Sequence, residues 1–199
     1  MPFGYWLVRV FKGDDIRSVG SGNIGASNVW RTFGRRYGLA AAILDVAKAF
    51  VPTLLATIFA GHLAGALTGA ATMLGHWRPI FLGFQRGGKM VATCAGAFFG
   101  LAPIVGAIGA AVWIVSFLLF RYASVASILG ALSLPVIAAA LDEPWPVIGF
   151  AIGAAIGVAF LHRGNIARLR AGTESRFQLR RRANSAQAPG RPGPARGSP

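Results

Sequence analysis

Apolar residues run along this chain in long blocks, with no two-residue alternation, and nearly all the charge collects in the short stretches between them. Such blocks predict helices buried in lipid rather than strands. Residues 1–11 are apolar apart from Arg9 and reach charge at Lys12. That is half of the roughly 20 residues a spanning helix needs, so the first span is expected to be truncated, its remaining apolar residues encoded upstream. No small-residue cleavage site follows it, which argues against a signal peptide. Residues 38–60 are long enough to span. Residues 61–75, rich in Ala and Gly, turn back after Ala60-Gly61-His62. The block 90–120 is too long for one upright helix, and Pro103 predicts a break inside it. Arg121-Tyr122 predicts a tight turn, followed by helices over 123–141 and 145–161. The pattern therefore predicts an all-α integral membrane protein, a compact bundle of about seven short transmembrane helices, the first one truncated.

Composition agrees with that class. Of 199 residues, 54% are hydrophobic and 13% charged, against about 25% charged in soluble domains; the mean hydropathy is +0.56. The net charge of +14 raises nucleic acid as a partner, but its distribution argues for topology instead. Nine of the 20 basic residues lie at or after Arg163, and most others sit in two loops, 12–37 and 77–89. Lys/Arg-rich loops stay on the cytoplasmic side, which also places the acidic Asp142-Glu143 turn on the other. Residues 178–199, rich in Arg, Pro, Gly and Ser, cannot bury enough apolar surface to fold. The expected organisation is thus a membrane-embedded domain over 1–177 and a disordered basic cytoplasmic tail over 178–199, with Arg180, Arg181 and Arg182 suited to anionic headgroups. A single cysteine, Cys94, excludes an internal disulfide. Within the second block Asp45 and Lys48 stand at i, i+3, on one helical face, where each partly neutralises the other.

Several motifs tempt and fail. Gly20-x-Gly22-x-x-Gly25 matches a dinucleotide fingerprint, but a charged loop precedes it where a strand is required. Gly83-x4-Gly88-Lys89 stops one residue short of a nucleotide-binding loop, because Met90 replaces the Ser/Thr. His62, His76 and His162 lack a second ligand at metal spacing. None has an Asp five positions on, and no Gly-x-Ser-x-Gly elbow occurs.

Three loops nevertheless share one chemistry. Residues 19–34 offer Ser21, Asn23, Asn28 and Arg31 among close-set glycines. The second loop offers His76, then Gly87-Gly88-Lys89 and Thr93. The third offers His162, Asn165, Arg168 and Glu174. Amide N–H groups exposed by glycine, together with Arg and Lys, suit an oxyanion such as phosphate. Topology charges would explain the bases but not the clustered Ser, Asn and His. At a membrane surface, such loops would bring a small anion to a membrane-embedded apolar molecule.

The same islands closely resemble the acyl-phosphate:glycerol-3-phosphate acyltransferase family (PlsY). They are Ser-Gly-Asn-Ile-Gly-Ala-Ser-Asn…Arg from residue 21, Gly-His…Pro-Ile-Phe…Gly-Gly-Lys…Val-Ala-Thr from 75, and His-Arg-x-Asn-Ile-x-Arg-Leu…Gly-Thr-Glu from 162, with Leu-Asp-Val-x-Lys from 44 and Arg-Tyr-x-Ser-Val-Ala-Ser from 121. The resemblance implies a bacterial inner-membrane enzyme moving an acyl group from acyl phosphate to glycerol-3-phosphate, without a cofactor. Its active-site loops and C-terminus would face the cytoplasm, with membrane lipid around it and the enzyme that supplies acyl phosphate as a further partner. By position, Ser21, Arg31, His162 and Asn165 would be catalytic. Lys89, Gly87, Gly88, Asn23, Asn28, Ser124 and Ser127 would bind substrate. Glu174, His76, Asp45 and Lys48 would support the site, and no metal is expected. Three departures stand out: Gln85-Arg86 where the family has one Lys, Met90 in place of a glycine, and the short first span. They motivate a second reading, a weakly active or inactive relative that binds glycerol phosphate or anionic lipid. A third, a small-solute transporter, rests on the break at Pro103 and lacks an inverted repeat.

Overall fold

The computed structural model describes residues 1–177, and the expectations for 178–199 fall outside the described residues. Eight helices occur in it: α1 (Phe3–Lys12), α2 (Ala26–Phe33), α3 (Arg35–Trp77), α4 (Val91–Leu101), α5 (Pro103–Phe120), α6 (Ala123–Ala140), α7 (Trp145–Leu161) and α8 (Arg163–Arg170). There is no strand among the described residues. By length and hydropathy, three helical stretches suffice to cross a membrane: 35–82, Pro103–Phe120 and Ala123–Ala140.

The first of these stretches is folded on itself. Gly61 leaves helical geometry at φ 81°, a conformation only glycine adopts cheaply. Lys48 Nζ lies 2.9 Å from His76 Nδ1 although the two are 28 residues apart, which along a straight helix would be about 42 Å. The chain therefore reverses at Gly61, as the sequence predicts, and the two arms of α3 pack side by side. A second break comes at Pro103, as the sequence predicts. Ala102 caps α4, Pro103 opens α5, and a Cβ on Gly106 would lie 3.0 Å from the Phe99 nitrogen.

Small residues set how closely these helices approach. A Cβ on Gly96 would meet the Val46 carbonyl oxygen at 2.1 Å, and one on Gly100 would meet the Leu54 nitrogen at 2.7 Å. This Gly-x3-Gly face lets α4 lie backbone to backbone against the first arm of α3, the contact by which helices associate in lipid. The main core gathers Met73, Cys94, Phe98, Leu101, Val105, Leu134, Val147, Phe150 and Val158 from five helices. Phe98 and Phe150 meet at 4.9 Å between ring centres. Leu and Ile side chains point outward along α5, α6 and α7, as a lipid-facing surface requires.

One expectation needs correction. Residues 12–37 are not a plain loop, because α2 occupies 26–33 and α3 begins at Arg35. The helix α2 buries Asn28 and Val29 and leaves Ser27 and Arg31 exposed. A second small core, Val8, Ile16, Ile24, Val29 and Ala41, ties it to α1 and α3.

Candidate active site

The glycine-rich stretch before α2 is organised by Asn28. Its amide donates to the carbonyls of Val19 at 3.1 Å and Asn23 at 2.9 Å, and its Oδ1 accepts from the Ser21 N–H at 2.9 Å. At 2% exposure its amide is engaged chiefly within the loop, which it holds in shape. Asn28→Ala should strand these backbone groups and cost about 2–3 kcal/mol, read as a lowered unfolding midpoint in detergent together with weakened phosphate-substrate binding; an unchanged midpoint would refute the assignment. Asn23 links the first loop to the second: its Nδ2 donates to the Gly87 carbonyl at 3.2 Å while its Oδ1 accepts from the Gly25 N–H at 2.7 Å.

The Gly87-Gly88-Lys89 segment lies on the end of α3. Gly87 and Gly88 donate to the carbonyls of Trp77 and His76 at 2.8 and 2.9 Å. Gly88 lies against the Nε2 edge of the His76 ring, where a Cβ would be 1.8 Å from Nε2. That ring is fixed from below. Lys48 spends its three N–H bonds on the Met1 carbonyl at 2.8 Å, Asp45 Oδ1 at 2.5 Å and His76 Nδ1 at 2.9 Å. Because Nδ1 accepts from an ammonium, Nε2 carries the ring proton. Asp45, Lys48 and His76 thus form one buried stack under the second loop.

Lys89 then crosses to the third loop, donating to Asn165 Oδ1. Asn165 Nδ2 donates to Glu174 Oε1 at 2.6 Å, and the same oxygen accepts from Ser124 Oγ at 2.9 Å. Glu174 Oε2 accepts from Arg168 Nε at 2.7 Å. Burial pushes the Glu174 carboxyl up, but its hydrogen bonds from Asn165, Ser124 and Arg168 together hold it below its ordinary value. Burial first, and then the positive charge of Arg168, lowers Lys89 to about 8. Just past α7, the Nδ1–H of His162 donates to the Val158 carbonyl at 2.8 Å. This fixes the tautomer and leaves Nε2 as an acceptor with no hydrogen-bond partner among the described residues. Burial keeps this imidazole neutral, with a pKa of about 4. Ser127 is tied to α6 itself, donating to the Ala123 carbonyl at 2.6 Å and accepting from Trp113 Nε1 at 3.3 Å.

Two cavities meet at these groups. One, of about 840 Å³, opens between the loops and is ringed by Arg31, Arg78, Arg86, Lys89, Arg163 and Arg168, with Glu174 the one carboxylate. The other, of about 590 Å³, runs into the bundle past Phe98, Trp113, Ile114, Phe117, Ala131 and Leu134, with His162 in its wall. Asn23, Asn28, Arg31, Lys89, Asn165 and Glu174, with Ser21 and Ser175, belong to both. The arrangement joins a cation-lined cavity, suited to an anion, to an apolar slot through these shared residues.

The family model for glycerol-3-phosphate acyltransferase matches residues 1–172. The chain belongs to this family. Relatives named glycerol-3-phosphate acyltransferase include one from Desulforudis audaxviator, 45% identical over 91% of each chain. Another, from Aquifex aeolicus, is 41% identical over 89% of this chain and 92% of its own. Among solved structures, the chain is similar to the glycerol 3-phosphate form of PlsY, an integral membrane glycerol 3-phosphate acyltransferase, with TM-score 0.85, 40% identity and coverage of 89% and 88%. It is also similar to the lysophosphatidic acid form, with TM-score 0.77, 38% identity and coverage of 88% and 92%. The protein is accordingly a multi-pass membrane acyltransferase.

In this acyltransferase the Gln85-Arg86 departure has a structural place. Gln85 Oε1 accepts from Arg17 Nη1 at 2.7 Å, and Arg17 in turn pairs with Asp15 at 2.6 Å. The second loop is thus latched to the first, and Arg86 adds a cation to the polar cavity. Met90 adopts φ 66° and buries its side chain in the main core. Two features of the site were not legible in the sequence. Arg168 is one of the third loop's cations, but its pairing with Glu174 appears only in the fold. The rings of Trp30, Trp113, Phe117 and Phe177 are merely apolar until they line one wall.

Proposed function

We propose that this protein transfers a fatty acyl group from acyl phosphate to the 1-hydroxyl of glycerol-3-phosphate, giving lysophosphatidic acid for phospholipid synthesis. The observation that carries the reading is the junction of a six-cation cavity with an apolar slot at Lys89 and Asn165, with His162 in the wall of the slot. A phosphate fits the first, a fatty chain fits the second, and the reacting carbonyl falls between them.

In this reading Arg31 and Lys89 hold phosphate, with Ser21 at the rim of the first loop. Asn165 and the free Nε2 of His162 orient the glycerol hydroxyls. The acceptor oxygen forms an ester bond with the acyl carbon as the carbon–oxygen bond of the anhydride breaks, and inorganic phosphate leaves carrying the hydroxyl proton. The donor is already activated, so alignment and charge stabilisation suffice and no acyl-enzyme is needed. The Asp45–Lys48–His76 stack supports the loop bearing Lys89, while Glu174 holds Asn165 and Arg168 in place. Residues 1–177 form the catalytic membrane unit, in the bacterial inner membrane with the basic loops cytoplasmic. The enzyme that forms acyl phosphate is its expected partner.

The test is direct. Purified protein with acyl phosphate and labelled glycerol-3-phosphate should yield lysophosphatidic acid, and Arg31→Ala should lower kcat/KM about thirty-fold, the loss of one charged hydrogen bond. Absence of product would sink the acyltransferase reading. Acyl-CoA serving equally well would overturn the choice of donor.

A further inference from the structure

Four aromatic rings stand in a row along the wall of the apolar slot. Trp113 stacks on Phe117 with centroids 5.1 Å apart and planes 10° apart. Phe117 meets Phe177 edge-on at 5.3 Å, and Phe177 meets Trp30 at 5.6 Å. All four line the slot. Trp30 belongs to α2, and Trp113 and Phe117 to α5, so three rings are set by helices. The fourth is not.

Phe177 lies on the strap that follows α8. The strap is fastened twice: at Glu174, by Ser124, Asn165 and Arg168, and at Phe177 itself, whose N–H donates to the Arg121 carbonyl at 2.7 Å. It lies beyond residues 1–172, the span that the family model matches. Three residues of chain reach at most about 11 Å. Phe177 thus lies within that reach of Glu174, which lines both cavities, and its ring joins the wall made by α2 to the wall made by α5.

We infer that Phe177 is an acyl-donor-binding residue, whose ring roofs the part of the fatty chain next to the reacting carbonyl. The inference rests on the acyltransferase reading above. An aromatic roof suits methylene groups, which gain by leaving water and by contact with ring faces. It offers nothing to a glycerol phosphate held in the polar cavity. The same strap carries Glu174, so the roof over the donor and the network that holds Asn165 share one segment.

The experiment separates donor from acceptor. Phe177→Ala, Phe177→Leu, Phe117→Ala and the double alanine variant are compared with wild type for the KM of a long-chain acyl phosphate and of glycerol-3-phosphate. Phe177→Ala should raise the donor KM roughly ten-fold, the equivalent of about 50 Å² of apolar contact, and leave the acceptor KM within about two-fold. Phe177→Leu should restore most of the loss. The double variant should cost less than the product of the single effects, because the two rings share a contact. An unchanged donor KM, or a rise of both Michaelis constants together with a lowered unfolding midpoint, would overturn the inference. A wild-type protein that makes no lysophosphatidic acid would instead overturn the reading on which it rests.

Discussion

Gly88→Ala should lower kcat/KM about a hundred-fold, and His76→Ala in the same chain should recover at least ten-fold of that loss. The reason is steric. A Cβ at this position would fall 1.8 Å from His76 Nε2 and 2.4 Å from Cε1, separations at which one of the two groups has to move. The imidazole resists, because Lys48 and Asp45 hold its other edge and it is 3% exposed. The loop moves instead, and it carries Lys89. A displacement of about 1 Å at a positioning group is worth roughly a hundred-fold in rate. Gly88 does not have positive φ, unlike Gly83 in the same loop, so alanine meets no backbone penalty there. The second substitution is therefore diagnostic. If glycine served to give the loop freedom, or to let backbone approach a phosphate, removal of the imidazole would restore nothing. Steady-state kinetics of the two single variants and the double variant decide the matter, and no recovery in the double variant would refute the packing account.

The helical segments were legible because lipid imposes a simple pattern. Apolar blocks, Gly61 and Pro103 located two of the breaks, because glycine and proline make leaving a helix cheap. The helix α2 was hidden for the converse reason. Its eight residues mix Ser, Asn, Arg and Thr with four apolar ones, and only packing on Ile16, Ile24 and Ala41 makes it a helix. In the site, residue type identified the groups but not their partners. Lys89, Asn165 and Glu174 stood in loops of the right chemistry, yet nothing in their spacing joins them in one chain of hydrogen bonds. Asn28 and Asn23 look alike in sequence. In the fold one is consumed within its own loop, and the other fastens that loop to its neighbour. Aromatic residues on helices that are apolar all round, such as Trp113 and Phe117, are indistinguishable from lipid-facing ones until the cavity is seen.

His162→Ala should cost about a thousand-fold in kcat, within the range for a residue aligned on the transferred proton, and His162→Gln should recover part of it. The pH profile then tells what the imidazole does. With Nδ1–H committed to the Val158 carbonyl and a pKa of about 4, His162 is neutral throughout the physiological range and changes charge only in acid. A base so weak is poorly matched to a proton near neutrality. The expected role is to accept a hydrogen bond at Nε2 and fix the hydroxyl, while the departing phosphate takes the proton. His162 should therefore add no limb near the ordinary histidine value of about 6.5, and any limb from the second ionisation of the substrate phosphate near about pH 6 should persist in His162→Gln. On the alkaline side the sign comes from Lys89. Its ammonium is half lost at about pH 8, so the KM for the phosphate substrate should rise as the pH passes that value. Lys89→Arg, whose cation persists above about pH 12, should remove the alkaline limb even if it binds more weakly. A limb centred between about 6 and 7 that disappears in His162→Gln would assign the imidazole as general base, and the hydrogen-bonding role would then be wrong.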